Sequence, residues 1–359
     1  MPSGATGAYH RRVTSASAAH GRARLLRRRT IALALAGALV GALPAAPVAA
    51  LGVAPSGSEV DPRLTQPLYV DTESQALEAV RAAKAAGNTA LAAKLKIISS
   101  APQARWVGDW GTLEQTRASV AQYVKAARTA KRTPAIVVYA IPNRDCGGYS
   151  GGGLTPETYP GWIAQIAKGL TDGAVSGSSR AIVLLEPDAL MSDCADATRN
   201  RLLKDATAAL AATGAWVYLD AGHSNWRSAT DTAARLKAAG VGKARGFFTN
   251  VSNFNATSDE QAYGRDVGTA LSRLGVGSAH RHFVVDTSRN GQATANGQWC
   301  NPPGQGLGRR PALSTAGYPL DGLLWVKRPG ESDGACNGGP AAGQWWQQYA
   351  LDLVRLRAR

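Results

Sequence analysis

Acidic side chains recur in polar segments that each follow a short apolar run. These acids are Asp145, Glu186, Asp188, Asp220, Asp286, Glu331 and Asp333. Crowded carboxyl groups acquire different pKa values, because burial and neighbouring negative charge favour the protonated form of one over another. The chain has neither an H-E-x-x-H helix nor a C-x-x-C pair, so we expect no metal and no cofactor. The pattern therefore predicts acid–base catalysis by carboxyl groups.

Tryptophan is a second candidate for binding chemistry, and the chain has nine. We expect Trp106, Trp110, Trp226 and Trp299 in loops beside the acidic segments, and Trp162, Trp216 and Trp325 in the core. Flat aromatic faces pack against the C–H faces of sugar rings, whereas carboxylates and amides bind hydroxyl groups. Acids together with loop tryptophans favour a polysaccharide as the substrate.

The elements that must position these residues alternate along the chain. Continuous apolar runs occupy residues 136–139, 181–185, 216–219, 246–248, 282–285 and 323–326, and helical patterns occupy 113–130, 197–212, 228–239, 259–274 and 344–357. Uninterrupted runs of four or five apolar residues are typical of strands buried on both faces. Strands alternating with helices predict parallel β/α units, in an open sheet or a barrel. In such folds the carboxyl ends of the strands converge on one rim, so the polar segments should meet there.

The N-terminal region has the layout of a secretory signal. A basic stretch at 22–29 precedes an apolar segment at 31–43, and small residues follow as far as Ala50. This predicts a signal peptide over 1–50, an N-terminal lead over 51–65 and one catalytic domain over 66–359. We expect a secreted, extracellular monomer with no membrane association once it is processed.

Charge and cysteine content agree with that interpretation. The formal net charge is +15, but seven of the 40 basic residues fall in the first 50 positions, which hold no acid. The remaining excess is dispersed, so we expect no nucleic-acid partner. The four cysteines are Cys146, Cys194, Cys300 and Cys336. An even number in an exported protein predicts two disulfides, with three possible connectivities.

Seven segments, in order, resemble the sequence blocks of glycoside hydrolase family 6, the cellulases of family B. They are residues 137–147 running on to 150–153, then 184–190, 218–226, 250–253, 286–291, 299–304 and 325–334. The resemblance covers about residues 66–357. It implies an α/β fold, a distorted, incomplete parallel β/α barrel (TIM-like, with about seven strands), whose substrate groove crosses the carboxyl ends of the strands.

The resemblance also implies an activity, the inverting hydrolysis of β-1,4-glucan, and roles for named residues. Asp188 matches the general acid, Asp145 the carboxylate that helps it to hold its proton, and Asp333 the proposed base. Arg144 adjoins Asp145, so we expect its charge to keep that carboxyl ionised. The matched substrate contacts are Trp106, Tyr139, Arg144, Asp220, His223, Trp226, Asn253, Trp299, Lys327 and Glu331. The family's disulfide pattern corresponds to Cys146–Cys194 and Cys300–Cys336.

Three other interpretations stay open at this point. Residues 148–152 read G-x-S-x-G, the nucleophile motif of serine esterases, but Ser150 lies eleven residues after Tyr139 rather than directly after a strand. A non-catalytic glycan-binding protein would also use tryptophans and acids. A cellobiohydrolase of the same family needs long loops that roof the groove. Only 34 residues separate Trp299 from Asp333, so we favour an endoglucanase.

Overall fold

Parallel strands form the centre of the molecule. The computed structural model describes residues 61–292, 297–314 and 318–358, so the predicted signal peptide and most of the lead lie outside the described residues. The strands are β1 Arg105–Gly108, β2 Ala135–Tyr139, β3 Ile182–Leu185, β4 Trp216–Asp220, β5 Gly246–Thr249, β6 His282–Asp286, β7 Ala312–Leu313 and β8 Leu320–Leu324. They form one sheet in the order β1-β2-β3-β4-β5-β6-β8-β7. All neighbours pair in parallel except β7, which is antiparallel to β8.

Helices connect the strands, as the alternating pattern predicts. They are α1 Pro62–Thr65, α2 Gln75–Ala85, α3 Thr89–Ser99, α4 Leu113–Thr129, α5 Tyr159–Asp172, α6 Ala197–Ala211, α7 Ala229–Ala238, α8 Thr257–Arg273 and α9 Gln347–Arg355. Side chains of Thr112, Asp196 and Ser228 cap α4, α6 and α7 by accepting backbone N–H groups of the first turn. No helix within the described residues is long and apolar enough to cross a membrane.

The barrel is incomplete at the seam between β1 and β8. The antiparallel strand β7 occupies part of the free edge of β8, so no ladder of hydrogen bonds joins β8 to β1. Instead, the N–H of Ala104 donates to the carbonyl of Trp325 (3.0 Å), and the indole N–H of Trp106 donates to the carbonyl of Val326 (2.8 Å). The predicted incomplete α/β barrel is confirmed.

Alternating strand residues contribute to two apolar clusters, one on each side of the sheet. On β2, Ile136 and Val138 pack in the cluster that contains helix residues, whereas Val137 and Tyr139 pack in the cluster formed mainly by strand residues. Strands β2, β3, β5 and β6 are buried along their whole length, which explains their continuous apolar runs. A third cluster consists mainly of residues from α2, α3 and α9 together with Trp325 and Leu307.

Other details differ from the sequence expectations. Trp106 lies in β1 rather than in a loop. The sequence pattern misses this strand because it is only four residues long and begins with the charged Arg105. Trp216 is only partly buried, and the guanidinium groups of Arg63 (4.3 Å) and Arg245 (4.1 Å) pack over its ring. Strand β8 starts at Leu320, three residues before the predicted run.

A buried carboxylate on β8 links that strand to β4, to β6 and to the residue before β5. Asp321 accepts hydrogen bonds from the Tyr218 hydroxyl (2.6 Å), the Arg245 guanidinium (2.8 and 3.0 Å) and the His282 ring (2.8 Å). Burial raises the pKa of Asp321, but these donors outweigh it and hold the pKa below its usual range. This network lies at the end of the barrel opposite the polar rim.

Candidate active site

A cleft of about 1100 Å³ runs across the carboxyl ends of the strands. All of the predicted catalytic and substrate-binding residues line it except Asp220. The lining acids are Asp145, Asp188, Asp193, Glu331 and Asp333, and the lining aromatic residues are Trp106, Trp110, Tyr139, Tyr149, Trp226 and Trp299. The convergence predicted from the polar segments thus occurs in one place.

Strained backbone is concentrated in the loops that follow β2 and β3. Asp145 (φ 56°) and Asp188 (φ 68°) both adopt the left-handed region, as do Asn143, Cys146 and Glu186 beside them. Such conformations cost about 1–3 kcal/mol each for residues other than glycine, and they persist where surrounding structure over-determines them. The two acids are therefore held in unusual backbone geometries.

Two disulfides join loops of this rim. Cys146, next to Asp145, is bonded to Cys194, and Cys300 is bonded to Cys336, close to Asp333. The Cα–Cα distances are 5.8 and 6.2 Å. Each bond links two chain segments that line the cleft, so it limits how far their side chains can separate.

Asp188 is a carboxyl group in an environment that favours its proton. Burial raises its pKa most, and the negative charges of Asp145 and Asp333 raise it further, while Lys327 acts in the opposite direction. The net effect is a pKa well above the usual range for aspartate. Asp188 is suited to donating a proton.

Asp145 is held by a neighbouring serine. Its Oδ2 accepts hydrogen bonds from both the backbone N–H and the hydroxyl of Ser150 (2.9 Å each). The Ser150 hydroxyl also lies 2.8 Å from the Tyr139 hydroxyl. The Ser150 hydroxyl, which the G-x-S-x-G pattern offered as a nucleophile, thus contacts an aspartate and a tyrosine.

Arg144 forms its ion pair with Asp109 rather than with the adjacent Asp145. The Nη1 of Arg144 forms an ion pair with Asp109 (2.6 Å) and also donates to the carbonyl of Tyr139 (3.0 Å). Its Nε donates to the carbonyl of Ser150. Adjacent residues in a turn point in different directions, so Arg144 orders the loop backbone and links it to the loop after β1.

Asp333 has the opposite electrostatic environment to Asp188. Its Oδ2 accepts from Arg289 (2.7 Å) and from the backbone N–H of Asn301 (3.0 Å), and Lys327 lies 3.3 Å from its Oδ1. Burial raises the pKa of Asp333, but Arg289 and Lys327 outweigh this and hold it below the usual range. Arg289 is itself fully buried, with its guanidinium 4.4 Å from the Phe254 ring. Asp333 is therefore an ionised carboxylate.

Asp220 departs from its predicted place. It is buried (2% exposed) and does not line the cleft, so it is not positioned to touch a substrate. Its Oδ1 accepts from the N–H of Gly222 (3.1 Å), and burial followed by the charge of Asp188 raises its pKa well above the usual range. Burial and the neighbouring Asp188 therefore favour the protonated form of Asp220.

The substrate-facing side chains combine aromatic surfaces with hydrogen-bonding groups. Trp226 and Trp299 are 37% and 44% exposed. Burial lowers the pKa of His223 to about 4, so its ring is neutral at ordinary pH. The Nδ1 of His223 accepts from the backbone N–H of Asn225 (3.3 Å), which leaves Nε2–H as a donor. Glu331 is held by the side chains of Gln75 (2.9 Å) and Arg328 (3.3 Å).

Glu186 has a positioning role that its sequence position alone did not reveal. It is fully buried and accepts hydrogen bonds from the N–H groups of Ala140 and Ile141 and from the Tyr159 hydroxyl, all at 3.0 Å. Ala140 and Ile141 lead into the loop that carries Asp145, and Glu186 is two residues from Asp188. One carboxyl group therefore joins the two acid-bearing loops. The one sequence feature that points to this role is the position of Glu186 directly after an apolar run.

The residues that the structure describes contain no candidate metal site. Across residues 61–292, 297–314 and 318–358, no group of three or more histidine, cysteine, aspartate or glutamate side chains is arranged to hold a metal ion. The acids of the cleft instead contact arginine, lysine, serine and backbone N–H groups.

The fold and the cleft define a carbohydrate-active enzyme of the incomplete β/α-barrel type. Residues 64–357 match the glycosyl hydrolases family 6. The chain belongs to this family, as the motif resemblance predicted.

Individual relatives agree with the family assignment. The chain is 46% identical to endoglucanase A of Cellulomonas fimi over 82% of its own length and 62% of that relative. It is 39% identical to endoglucanase 1 of Streptomyces halstedii, covering 88% of the chain and 97% of the relative. The endoglucanase Cel6 of Mycobacterium tuberculosis, solved in complex with a methyl-cellobiosyl-thio-cellobioside, is 41% identical with a TM-score of 0.74, covering 83% of this chain and 99% of that one. The chain thus spans less than two thirds of the Cellulomonas protein.

We expect Glu186→Gln to lower kcat on a soluble β-glucan about 10- to 100-fold with little change in KM, because an amide cannot accept from all three donors and the acid-bearing loops move apart. The negative charge of Asp145 would then raise the pKa of Asp188 less, so that pKa would fall. The alkaline limb of the plot of kcat against pH would therefore shift to lower pH.

Steady-state kinetics across a pH series, with thermal melting on the same samples, measure this effect. Glu157→Gln is the matched control, since that glutamate is exposed. A folded Glu186→Gln protein with wild-type kcat and an unshifted pH profile would contradict the positioning role.

Proposed function

We propose that this protein is an endo-β-1,4-glucanase that hydrolyses internal bonds of cellulose or related β-glucans with inversion at the anomeric carbon. The observation that carries the proposal is the pair Asp188 and Asp333, whose environments favour opposite protonation states in one open cleft. Relatives named endoglucanases at 37–46% identity support it.

The proposed reaction divides the two roles between these carboxyl groups. Asp188 protonates the oxygen of the departing chain, and Asp333, as the base, removes a proton from the water that attacks the opposite face of the sugar ring. Inverting enzymes hold such groups about 6.5–9.5 Å apart, which leaves room for that water. Asp145 maintains the proton on Asp188 through its negative charge, and the charge of Asp333 acts in the same direction.

Substrate contacts follow from the residues that line the cleft. Trp106, Trp226 and Trp299 present aromatic surfaces to sugar rings, and Tyr139 crowds the ring at the cleaved bond. Hydroxyl groups of the sugars are bound by the hydrogen-bonding side chains Arg144, His223, Asn253, Lys327 and Glu331.

Export and domain organisation remain part of the proposal. We infer a signal peptide over 1–50, a lead over 51–65 and a catalytic domain over 66–359, acting outside the cell as a monomer. Two disulfides support an oxidising destination. Within the described lead, Arg63 of α1 donates to the Gly214 carbonyl (2.9 Å), so the final residues of the lead contact the barrel.

A cellobiohydrolase is the second candidate, since exoglucanases at 28–29% identity also match the chain. The higher identity of the bacterial endoglucanases favours internal cleavage. A serine esterase is disfavoured because Ser150 contacts Asp145 and Tyr139 rather than a histidine. A purely glycan-binding protein would not need two carboxyl groups held in opposite protonation states.

Carboxymethylcellulose tests the mode of cleavage. We expect its viscosity to fall early, when few reducing ends have been released, because internal cuts shorten chains fastest. Capillary viscometry and a reducing-sugar assay on the same samples measure both quantities. Accumulation of cellobiose with almost unchanged viscosity would instead indicate processive action from a chain end.

Asp188→Ala tests the proton donor. We expect kcat/KM on cello-oligosaccharides to fall about 10²–10⁴-fold, and to fall much less on an activated aryl cellobioside, whose phenolate leaves with little protonation. Initial rates on both substrates give the comparison, and Asp205→Ala, at an exposed position of α6, is the matched control. Equal losses on the two substrates would refute general-acid catalysis by Asp188.

A further inference from the structure

Trp110 has no function in the mechanism described above. Its side chain is 66% exposed, a larger fraction than that of any other large apolar side chain in the described ranges. It lies in the loop between β1 and α4 and lines the cleft, unlike Leu113 three residues later, which is 49% exposed outside it. Single exposed apolar residues are common on protein surfaces, so exposure alone assigns no role.

The packing of the Trp110 ring gives the first independent observation. A Cβ atom added at Gly108 would lie 2.6–2.7 Å from two atoms of the indole, so the ring rests directly against the Gly108 backbone. A side chain at position 108 would displace it. Because Gly108 has no side chain, the indole packs against the backbone there, and most of its surface stays exposed.

The loop that carries Trp110 is fixed at both ends. Asp109 forms the ion pair with Arg144 described above (2.6 Å, with side chains 20% and 9% exposed). On the other side, the Thr112 side chain accepts from the Gln115 N–H while the Gln115 side chain accepts from the Thr112 N–H, a reciprocal cap that starts α4. Binding to such a preorganised surface loses little conformational entropy.

The position of Trp110 relative to Trp106 indicates what would bind there. Both residues line the cleft, and their Cα atoms, four residues apart in the chain, can be separated by at most about 14 Å, the length of a few sugar units. Trp110 belongs to the loop after β1, the first strand of the sheet, and so lies towards one margin of the rim.

We propose that Trp110 forms an additional glucosyl-binding subsite, where its exposed indole stacks on a sugar of a β-glucan chain that extends past Trp106. The inference rests on the proposed function, because the ligand is the same polysaccharide. It predicts that Trp110 matters for long chains only, since short oligosaccharides bound across Asp188 do not reach it.

Trp110→Ala tests the subsite with cello-oligosaccharides of different length. We expect kcat/KM on cellohexaose to fall about tenfold and kcat/KM on an aryl cellobioside to stay within about twofold of wild type. Trp110→Phe, which keeps an aromatic face, should recover most of the cellohexaose activity. Gly108→Ala, which displaces the ring without removing it, should reproduce the loss on cellohexaose.

Leu113→Ala is the matched control, because it removes a neighbouring exposed apolar side chain outside the cleft. Equal effects of Trp110→Ala on the two substrates, or an unchanged rate on cellohexaose, would overturn the subsite while leaving the glucanase activity in place. Failure of the wild-type protein to cleave either substrate would instead overturn the proposed function.

Discussion

The electrostatic contrast between two aspartates is the constraint on which the rest of this structure depends. Burial and two nearby negative charges favour the proton on Asp188, whereas Arg289 and Lys327 keep Asp333 ionised. In water both groups would titrate at about pH 3.9, so the difference between their pKa values comes from their surroundings. The contrast therefore requires that several chain segments hold charged groups at fixed positions on a single rim.

Rigidity at that rim comes from the structure beneath it. Glu186 connects the loops after β2 and β3 through a buried carboxyl group, and a disulfide connects the same loops on the outside. The left-handed backbone at Asp145 and Asp188 is tolerated because strands buried on both faces anchor it. At the opposite end, Asp321 links β8 to β4, to β6 and to the residue before β5, so buried carboxylates connect chain segments at both ends of the barrel.

Much of this arrangement was predictable, because buried parallel strands produce apolar runs and polar segments must follow them. The helices predicted after β1, β3, β4 and β5 begin and end within two residues of the observed α4, α6, α7 and α8. Side-chain direction was not predictable. Arg144 is adjacent to Asp145 in the sequence, but its ion pair is with Asp109, which directly follows β1. Strand β1 is too short and too polar to appear as an apolar run, so this contact could not be predicted.

The same limit applies to residues at the ends of strands. Asp220 ends β4 as Glu186 follows β3, and both are rim acids by sequence, yet both are buried beneath the cleft rather than exposed in it. Which side a residue faces at a strand end is decided by the turn that follows, and these turns contain left-handed residues that sequence patterns do not reveal. The family motifs placed the residues on the rim, and the packing decides which of them meet a ligand.

Carbon-13 NMR titration of aspartate-labelled protein tests the central claim most directly, with the two signals assigned from Asp188→Asn and Asp333→Asn spectra. The account predicts that the Asp188 carboxyl takes up its proton well above the ordinary pH range of aspartate and that Asp333 does so below it. As the pH rises, Asp333 should ionise first and Asp188 last, with a window between in which one is charged and the other neutral. Titration of both groups near the ordinary value, or in the reverse order, would contradict the account.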